Sequence, residues 1–177
     1  SLYRNGRALA VSNGTAALQL AMQLAGVEVG DEVLVPAFCY QAASHVSRQL
    51  GAIPIFCDVD PLTWNIRASS IEPRITMKTK CVVVVHNYGV ACDLEPIRTI
   101  CDAHGITLIE DCAEAWFSKT SQGLVGTTAD IATFSMHATK TISTGEGGIV
   151  LVKDEYYERA KLLRSHGLDR STAAYEH

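Results

Sequence analysis

The sequence lacks several features that would assign it to common classes of protein. Its 177 residues carry 15 Lys and Arg against 19 Asp and Glu, so it has no basic excess of the kind that marks nucleic-acid-binding surfaces. The longest apolar run, Cys81 to Val85, has the length of a strand and is far too short to cross a bilayer. No signal-peptide pattern is present at residues 1–7. We therefore expect an acidic cytoplasmic protein without nucleic-acid or membrane partners.

Common nucleotide and metal motifs are missing as well. The sequence has neither a Gly-x-x-x-x-Gly-Lys-Ser/Thr loop nor a Gly-x-Gly-x-x-Gly fingerprint, which removes most support for nucleoside triphosphates and dinucleotides. The 6 cysteines form no Cys-x-x-Cys pair, and the 6 histidines are not spaced as zinc ligands. We predict buried, reduced thiols and no metal site.

What the sequence does contain is an alternation of short β-branched runs and helical stretches. This pattern is typical of an α/β protein with a mainly parallel sheet flanked by helices on both faces. We predict helices over residues 15–25 and 41–50, one capped by Asp93 and ending near Gly105, and one capped by Asp154 and ending near Gly167. The polar segment 119–128 is predicted to be a loop, and segment 68–75 is ambiguous. The predicted strands are 9–11, 32–35, 53–57, 81–85, 107–110, 131–135 and 148–152.

Ligands of open α/β sheets bind beyond the carboxyl ends of the strands, and four candidate positions lie there. They are the segment Ser12–Thr15 before the first helix, Asp111, Lys140, and the glycine-rich segment 144–148. Each also has an ordinary structural interpretation. Ser12 or Thr15 would cap the helix, Asp111 would be another N-cap, Lys140 would be solvated, and segment 144–148 would be a plain turn.

Taken together, these positions describe a single ligand. A helix N-terminus binds a phosphate, a carboxylate pairs with a protonated ring nitrogen, and a lysine amine condenses with an aldehyde. These are the requirements of pyridoxal 5'-phosphate. Tyr40, which follows another strand end, would supply an aromatic face beside the ring.

The sequence also resembles the DegT/DnrJ/StrS sugar aminotransferases, which have the type I aspartate-aminotransferase fold. The resemblance covers nearly the whole chain, and its most specific stretch is FSMHATKTISTGEGG. The motifs that carry it are SNGTAAL (12–18), GDEVLVPAF (30–38), FCDVDPLTWNI (56–66), HNYGVACDL (86–94), IEDCAEA (109–115), FSMHATKTISTGEGG (134–148) and RSHGLDR (164–170).

The resemblance implies a role for each matching residue. Lys140 would form the internal aldimine with the cofactor and then shuttle the proton, and Asp111 would pair with the pyridine nitrogen. Tyr40 would stack on the ring, and Glu114 would lie near the cofactor's phenolic oxygen. The phosphate would be held by Gly14, Thr15, Ala16 and Ser135.

The implied reaction transfers an amino group from an amino acid, glutamate, to a nucleotide-linked keto-deoxysugar. The family also implies a homodimer with the active site at the interface. Residues 1–177 would be an incomplete cofactor-binding large domain, without the family's N-terminal helix and small C-terminal domain, and poorly active alone. Met136, where Phe is frequent, and Trp116-Phe117 depart from the family pattern and put the shape of the substrate pocket in question.

Two alternatives remain open at this point. Asp58 and Asp60 follow a predicted strand and resemble the aspartyl-phosphate motif of haloacid-dehalogenase phosphatases, although Leu62 stands where Thr or Val is wanted. The second alternative is a non-catalytic regulator with the same fold. The presence of all the cofactor-binding residues argues against it.

Overall fold

The structure, a computed structural model, describes residues 6–169 and 174–175, and the side chains of residues 6–167. The end of the RSHGLDR motif at Arg170 and the terminal residues 1–5 and 176–177 lie outside the described residues. In chain order the elements are β1 (Arg7–Val11), α1 (Gly14–Leu24), β2 (Glu32–Pro36), α2 (Ala42–Gln49), β3 (Ile53–Cys57), α3 (Ala68–Ile71), β4 (Thr79–Val85), α4 (Glu95–His104), β5 (Thr107–Asp111), β6 (Lys119–Thr120), β7 (Gly123–Leu124), β8 (Ile131–Ser135), β9 (Gly148–Val152), α5 (Asp154–Arg164), β10 (Leu168–Asp169) and β11 (Ala174–Tyr175).

Seven strands form one twisted sheet in the order β1-β9-β8-β5-β4-β2-β3. Strands β8, β5, β4, β2 and β3 are parallel, whereas β9 is antiparallel to both β8 and β1. The predicted mainly parallel α/β fold is confirmed. The parallel strands place the carboxyl ends of β4, β5 and β8 on one edge, and this edge carries the candidate site.

Two apolar layers sandwich the sheet. Helices α1, α2 and α5 cover one face through residues such as Leu18, Met22 and Ala160, and α4 with α3 covers the other through Ile97, Cys101 and Ile71. Strand β4 is apolar on both faces because both layers pack against it; Cys81 to Val84 are fully buried. No helix in the described part of the chain has the length and apolarity needed to cross a membrane.

Several local predictions need correction. Segment 119–128 contains the two-stranded hairpin β6-β7 rather than only a loop. Helix α4 is capped by Leu94, not Asp93, and α5 by Lys153, so that Asp154 is already a helical residue. Glu95 and Asp154 are instead acidic residues of the first turn, and their charge interacts favourably with the positive end of the helix dipole.

The cysteines of the described chain are all free, and all except Cys39 are buried. Burial, together with the nearby Asp111 and Glu114 carboxylates, raises the pKa of the Cys39 thiol to about 11. Cys39 lies next to the candidate site, but its thiol remains protonated near neutral pH and is a poor nucleophile there.

Candidate active site

A cavity of about 390 Å³ opens at the carboxyl ends of β4, β5 and β8. Its volume falls within the range of small-molecule binding sites. Seven of the predicted site residues line it: Gly14, Thr15, Tyr40, Asp111, Glu114, Ser135 and Lys140. The fold therefore brings residues separated by more than a hundred positions in the sequence to one place.

The N-terminus of α1 forms one wall of the cavity and lies against the end of β8. A Cβ atom on Gly14 would come within 2.9 Å of the Ser135 Cβ and 3.3 Å of its Oγ, so only glycine permits this approach. The first N–H groups of a helix have no partner inside the helix, and Gly14 and Thr15 line the cavity together with Ser135. These groups together form a cradle suited to a phosphate.

Asn13 is the residue that caps α1, rather than Ser12 or Thr15. Its Oδ1 accepts the N–H of Ala16 at 2.9 Å and its carbonyl accepts that of Ala17 at 3.0 Å. Ala16 lines a different hollow, beside α5, and its N–H is already bonded. The predicted phosphate contact of Ala16 is therefore not supported by this arrangement.

Asp111 supplies a buried carboxylate at the base of the cavity. It is the last residue of β5 rather than the residue after it, and its side chain accepts one N–H, from Ala113 at 3.0 Å. Burial raises the pKa of Asp111 to about 6, while the hydrogen bond from the Ala113 N–H and the charge of Lys140 act in the opposite direction. Such a carboxylate would gain from a cationic partner placed in the cavity.

Lys140 faces this cavity and is not a freely solvated lysine. Its Nζ lies 3.2 Å from Oε1 of Glu114, and the two side chains are 23% and 28% exposed. The second oxygen of Glu114, Oε2, accepts the N–H of Tyr88 at 3.1 Å. Glu114 therefore holds the lysine amine at a fixed place beside Asp111 and the phosphate cradle.

Among the cavity-lining residues that the site prediction did not include, three belong to the motif at residues 134–148. They are His137, Thr139 and Glu146. The Nδ1 atom of His137 lies 3.0 Å from Oγ1 of Thr139, and its Nε2 lies 3.7 Å from Oε1 of Glu146. The signal that points to them was their position in the same motif as Ser135 and Lys140.

Of the departures from the family pattern, Trp116 packs against the strand end that carries Ser135. The indole N–H of Trp116 donates to the carbonyl of Ser135 at 3.0 Å, and its ring packs against Phe134 at 4.4 Å between centroids. Trp116 therefore supports the end of β8 that carries the Ser135 hydroxyl. Met136 packs near Gly147, in the glycine-rich turn that follows Lys140.

A buried acid next to Asp111 was missed by the sequence analysis. Glu110 is fully buried, and its carboxylate accepts the Nε2–H of His86 at 3.0 Å and three backbone N–H groups, those of Gly126, Thr128 and Ala129. Since His86 Nδ1 accepts the N–H of Cys92, we assign His86 as the neutral Nε2–H tautomer.

His86 and Glu110 also form, with Cys112, a group whose potential ligand atoms lie within 4.8 Å of one another. The hydrogen bonds of His86 and Glu110 are already satisfied by protein groups, and burial raises the pKa of the Cys112 thiol well above its ordinary value. The group therefore fixes segment 126–129 to the sheet and does not resemble a metal site.

Asp58 and Asp60 serve local structure. Oδ1 of Asp60 accepts the N–H groups of Leu62 and Thr63 at 2.9 and 3.0 Å, as in an Asx turn, and these contacts lower the pKa of Asp60. Asp58 lies 3.7 Å from Arg67. This arrangement gives no support to the phosphatase alternative.

The fold and the site define a class of protein: an αβα sheet with an amine, a buried carboxylate and a phosphate cradle at its strand ends, as in aminotransferases. Comparison with known proteins identifies the family. The model of the DegT/DnrJ/EryC1/StrS aminotransferase family matches residues 1–177, and the chain belongs to this family. The resemblance noted from the motifs is thereby confirmed.

Individual relatives are similar over most of this chain. A GDP-perosamine synthase of Escherichia coli O157:H7 is 46% identical over 162 residues, which cover 91% of this chain and 44% of the relative. An L-glutamine:2-deoxy-scyllo-inosose aminotransferase of Streptomyces paromomycinus is 40% identical over 157 residues, or 88% of this chain and 37% of the relative. The chain thus spans less than half the length of these relatives.

A solved structure from Streptococcus pneumoniae, in its PLP form, superimposes with a TM-score of 0.87 at 29% sequence identity. The match covers 99% of this chain and 52% of that chain. The similarity therefore extends over nearly the whole sheet that carries the candidate site.

Proposed function

We propose that the protein containing this chain is a pyridoxal phosphate-dependent aminotransferase that acts on a keto group of a nucleotide-linked deoxysugar. The observation that carries the proposal is that Lys140, Asp111 and the phosphate cradle line one cavity. Family membership and the solved PLP form of a similar structure support it.

The residues of the cavity fit this cofactor. Gly14 and Thr15 N–H groups with the Ser135 hydroxyl would hold its phosphate, and the buried Asp111 carboxylate would hold its protonated ring nitrogen. Tyr40, which lines the cavity and is 73% exposed, would cover the ring. When bound, pyridoxal phosphate supplies an aldehyde that carries the amino group and a ring that stabilises negative charge at the reacting carbon.

Lys140 has two tasks in the proposed reaction. Its Nζ would hold the cofactor through the aldehyde, and the same amine, once free, would be the base placed to move a proton of the substrate. Glu114, at 3.2 Å, keeps Nζ within reach during this second task. Holding the base in place replaces a bimolecular encounter by an intramolecular step.

The substrate and the donor are proposed at a finer level than the family. The GDP-perosamine synthase relative supports a nucleotide-linked sugar, whereas the scyllo-inosose aminotransferase relative names a cyclitol and L-glutamine. We propose a nucleotide-linked sugar and glutamate. The half-reaction is measured with L-glutamate and with L-glutamine separately, with the loss of the cofactor's visible absorption as the readout. The donor that reacts faster is the one the enzyme uses.

We also propose that residues 1–177 are the cofactor-binding large domain, that the protein works as a cytoplasmic homodimer, and that the active site lies at the dimer interface. Tyr40 lines the cavity but is 73% exposed, which supports a site that further residues complete. Sedimentation of the whole protein tests the dimer. A monomer with full activity would contradict it.

Trapping of the cofactor tests the central claim. Borohydride reduction of the cofactor-loaded whole protein should leave a stable adduct on the peptide that contains Lys140, detected by mass spectrometry. Lys140→Arg should abolish the adduct, while Lys153→Arg, which alters a lysine paired with Asp130 at the opposite edge of the sheet, should retain it. A loaded wild-type protein with no adduct at Lys140 would contradict the proposal.

A further inference from the structure

Three aromatic residues follow three neighbouring strands and remain open to solvent. Phe38 follows β2, Trp64 follows β3 and Tyr88 follows β4, and they are 43%, 47% and 67% exposed. We call these three side chains the aromatic platform. They lie on the same edge of the sheet as the active-site cavity, because β2, β3 and β4 are parallel neighbours.

The rings of the platform contact one another edge to face. The centroids of Phe38 and Trp64 are 5.3 Å apart with planes at 61°, and those of Trp64 and Tyr88 are 5.7 Å apart at 73°. Such T-shaped contacts are favourable, and each of the three side chains still keeps more than two fifths of its surface exposed. The platform is therefore a preformed surface rather than three independent side chains.

Buried amide groups hold the platform in place. Asn87 is 3% exposed, and its Nδ2 donates to the carbonyls of Phe38 and Trp64 at 3.2 and 2.7 Å. Asn65, equally buried, accepts the N–H of Asn87 at 3.1 Å and donates to the carbonyl of Val90 at 2.8 Å. One buried side chain thus ties all three loops together.

Two residues of the platform adopt an unfavourable backbone conformation. Trp64 has φ of 59° and Tyr88 has φ of 51°, in the left-handed region that bulky residues rarely occupy. Such strain persists where surrounding contacts impose it, and it concentrates at ligand-binding sites. The loops are bent at a cost, and the result is that large rings face solvent.

The platform is continuous with the reacting groups. The N–H of Tyr88 donates to Oε2 of Glu114 at 3.1 Å, and Oε1 of the same carboxylate lies 3.2 Å from Nζ of Lys140. Only the Glu114 side chain separates the backbone of the platform from the amine. A ligand that reacts at Lys140 and extends beyond the cavity on this side meets the rings.

We propose that the aromatic platform binds the base of the nucleotide-linked sugar, an inference that rests on the proposed function. A nucleotide-linked substrate has its sugar at Lys140 and carries a planar base at the far end of a diphosphate. Aromatic side chains bind bases by stacking with little selectivity, because every base has a π-face. A cyclitol without a nucleotide would end inside the cavity and leave the platform unused.

Nucleotide binding by ring-removing variants tests this assignment. In the cofactor-loaded whole protein, Trp64→Asn and Tyr88→Asn remove a ring and keep a residue that tolerates the left-handed conformation. We expect each to weaken the binding of GDP, UDP or dTDP, whichever the wild type binds, by about 10-fold or more in calorimetry. Binding of ribose 5-phosphate, which lacks a base, should change less than about twofold, because the expected contact is to the base alone.

Matched variants separate stacking from general damage. Trp64→Phe and Tyr88→Phe keep a ring and should retain most of the nucleotide affinity. Leu62→Ala alters a 91% exposed apolar side chain in the same loop as Trp64 and should have no effect. Leu62→Ala should also leave cofactor absorption and the amino-donor half-reaction unchanged.

Unchanged nucleotide affinity in both Asn variants, or a wild type that binds none of the three nucleotides, would overturn the inference. So would dissociation of the oligomer by the Asn variants without loss of nucleotide affinity, since a second copy of the chain would then cover the platform. If the wild type binds no cofactor while the Asn variants still weaken nucleotide binding, the proposed aminotransferase activity would be overturned and the platform assignment supported.

Discussion

Asp111 and Asp130 lie at opposite edges of the same sheet, and their surroundings shift the pKa values of the two carboxyl groups in opposite directions. Asp130, before β8, accepts hydrogen bonds from Arg98 at 2.8 Å, Lys153 at 2.6 Å and the N–H of Leu108 at 2.9 Å. These partners lower the pKa of Asp130 despite its desolvation. Asp111 has one backbone donor, and burial raises its pKa to about 6.

The difference separates stability from function. At the amino edge a carboxylate is fully paired with cations and ties α4, β5 and the end of β9 together. At the carboxyl edge a carboxylate is buried with few partners, which is unfavourable for the cofactor-free protein. We interpret this cost as the mark of a group that awaits a cationic partner from a ligand.

The largest effect is expected from Asp111→Asn in the whole enzyme. Asparagine cannot provide the negative charge that the proposed ring nitrogen needs, so the rate of amino transfer should fall about 100-fold or more. Single-turnover loss of cofactor absorption with the amino donor measures this rate. Activity equal to the wild type would remove Asp111 from the proposed site.

The same substitution should have the opposite effect on stability. The raised pKa of Asp111 means that its contribution favours folding below about pH 4 and is lost as pH rises through about 6. In the cofactor-free wild type, the unfolding free energy should therefore fall by up to about 3 kcal/mol as pH rises from about 4 to about 6. Asp111→Asn, which has no titrating group at this position, should not show this fall. Urea unfolding at several pH values measures it; an unaltered profile contradicts the prediction.

Asp130→Asn should reverse this pattern. It weakens contacts to Arg98 and Lys153 and should lower the unfolding free energy by about 2 kcal/mol at neutral pH. Because the pKa of Asp130 is lowered, its stabilisation is present above the ordinary aspartate pKa and is lost only as pH falls through the native value. Cofactor absorption should be unchanged, and a loss of cofactor without a loss of stability would contradict this division.

The smallest effect is expected from Asp58→Asn. Its carboxylate is exposed and pairs only loosely with Arg67 at 3.7 Å, so stability should change by less than about 1 kcal/mol. Amino transfer should change less than about twofold, because the pair lies on the surface and such contacts contribute little. Magnesium-dependent phosphatase activity that this variant abolishes would instead revive the phosphatase alternative.

The parts of the fold with strong local patterns could be predicted from the sequence. Strands β3, β8 and β9 begin and end at the predicted residues, because each is an apolar run bounded by turn residues. Gly26 and Gly105 end their helices with positive φ, as glycine after a helix indicates. The hairpin β6-β7 was missed because its strands are two residues long and too short to show a period.

The active site was predictable where chemistry and position agree. Asp111 ends β5 and Lys140 follows β8, where charged side chains point to a ligand. The roles of Asn13 and Glu110 depend instead on backbone N–H groups that only the folded chain brings together. Asn13 displaced Ser12 as the cap because its side chain reaches the N–H of Ala16. The aromatic platform likewise depends on loops that meet only in space.

The pairing of β1 with β9 has a consequence for the order of folding. Leu9 pairs with Val150, and Gly148 lies so close to the carbonyl of Asn13 that a Cβ there would collide with it. The pairing of β1 with β9 and the contact of α1 with Ser135 both join residues more than a hundred positions apart. Closing so long a stretch of chain carries an entropic cost and slows folding. We therefore expect the phosphate cradle to form late, so that capture of a phosphate by a newly made chain would report the joining of residues from both ends of the sequence.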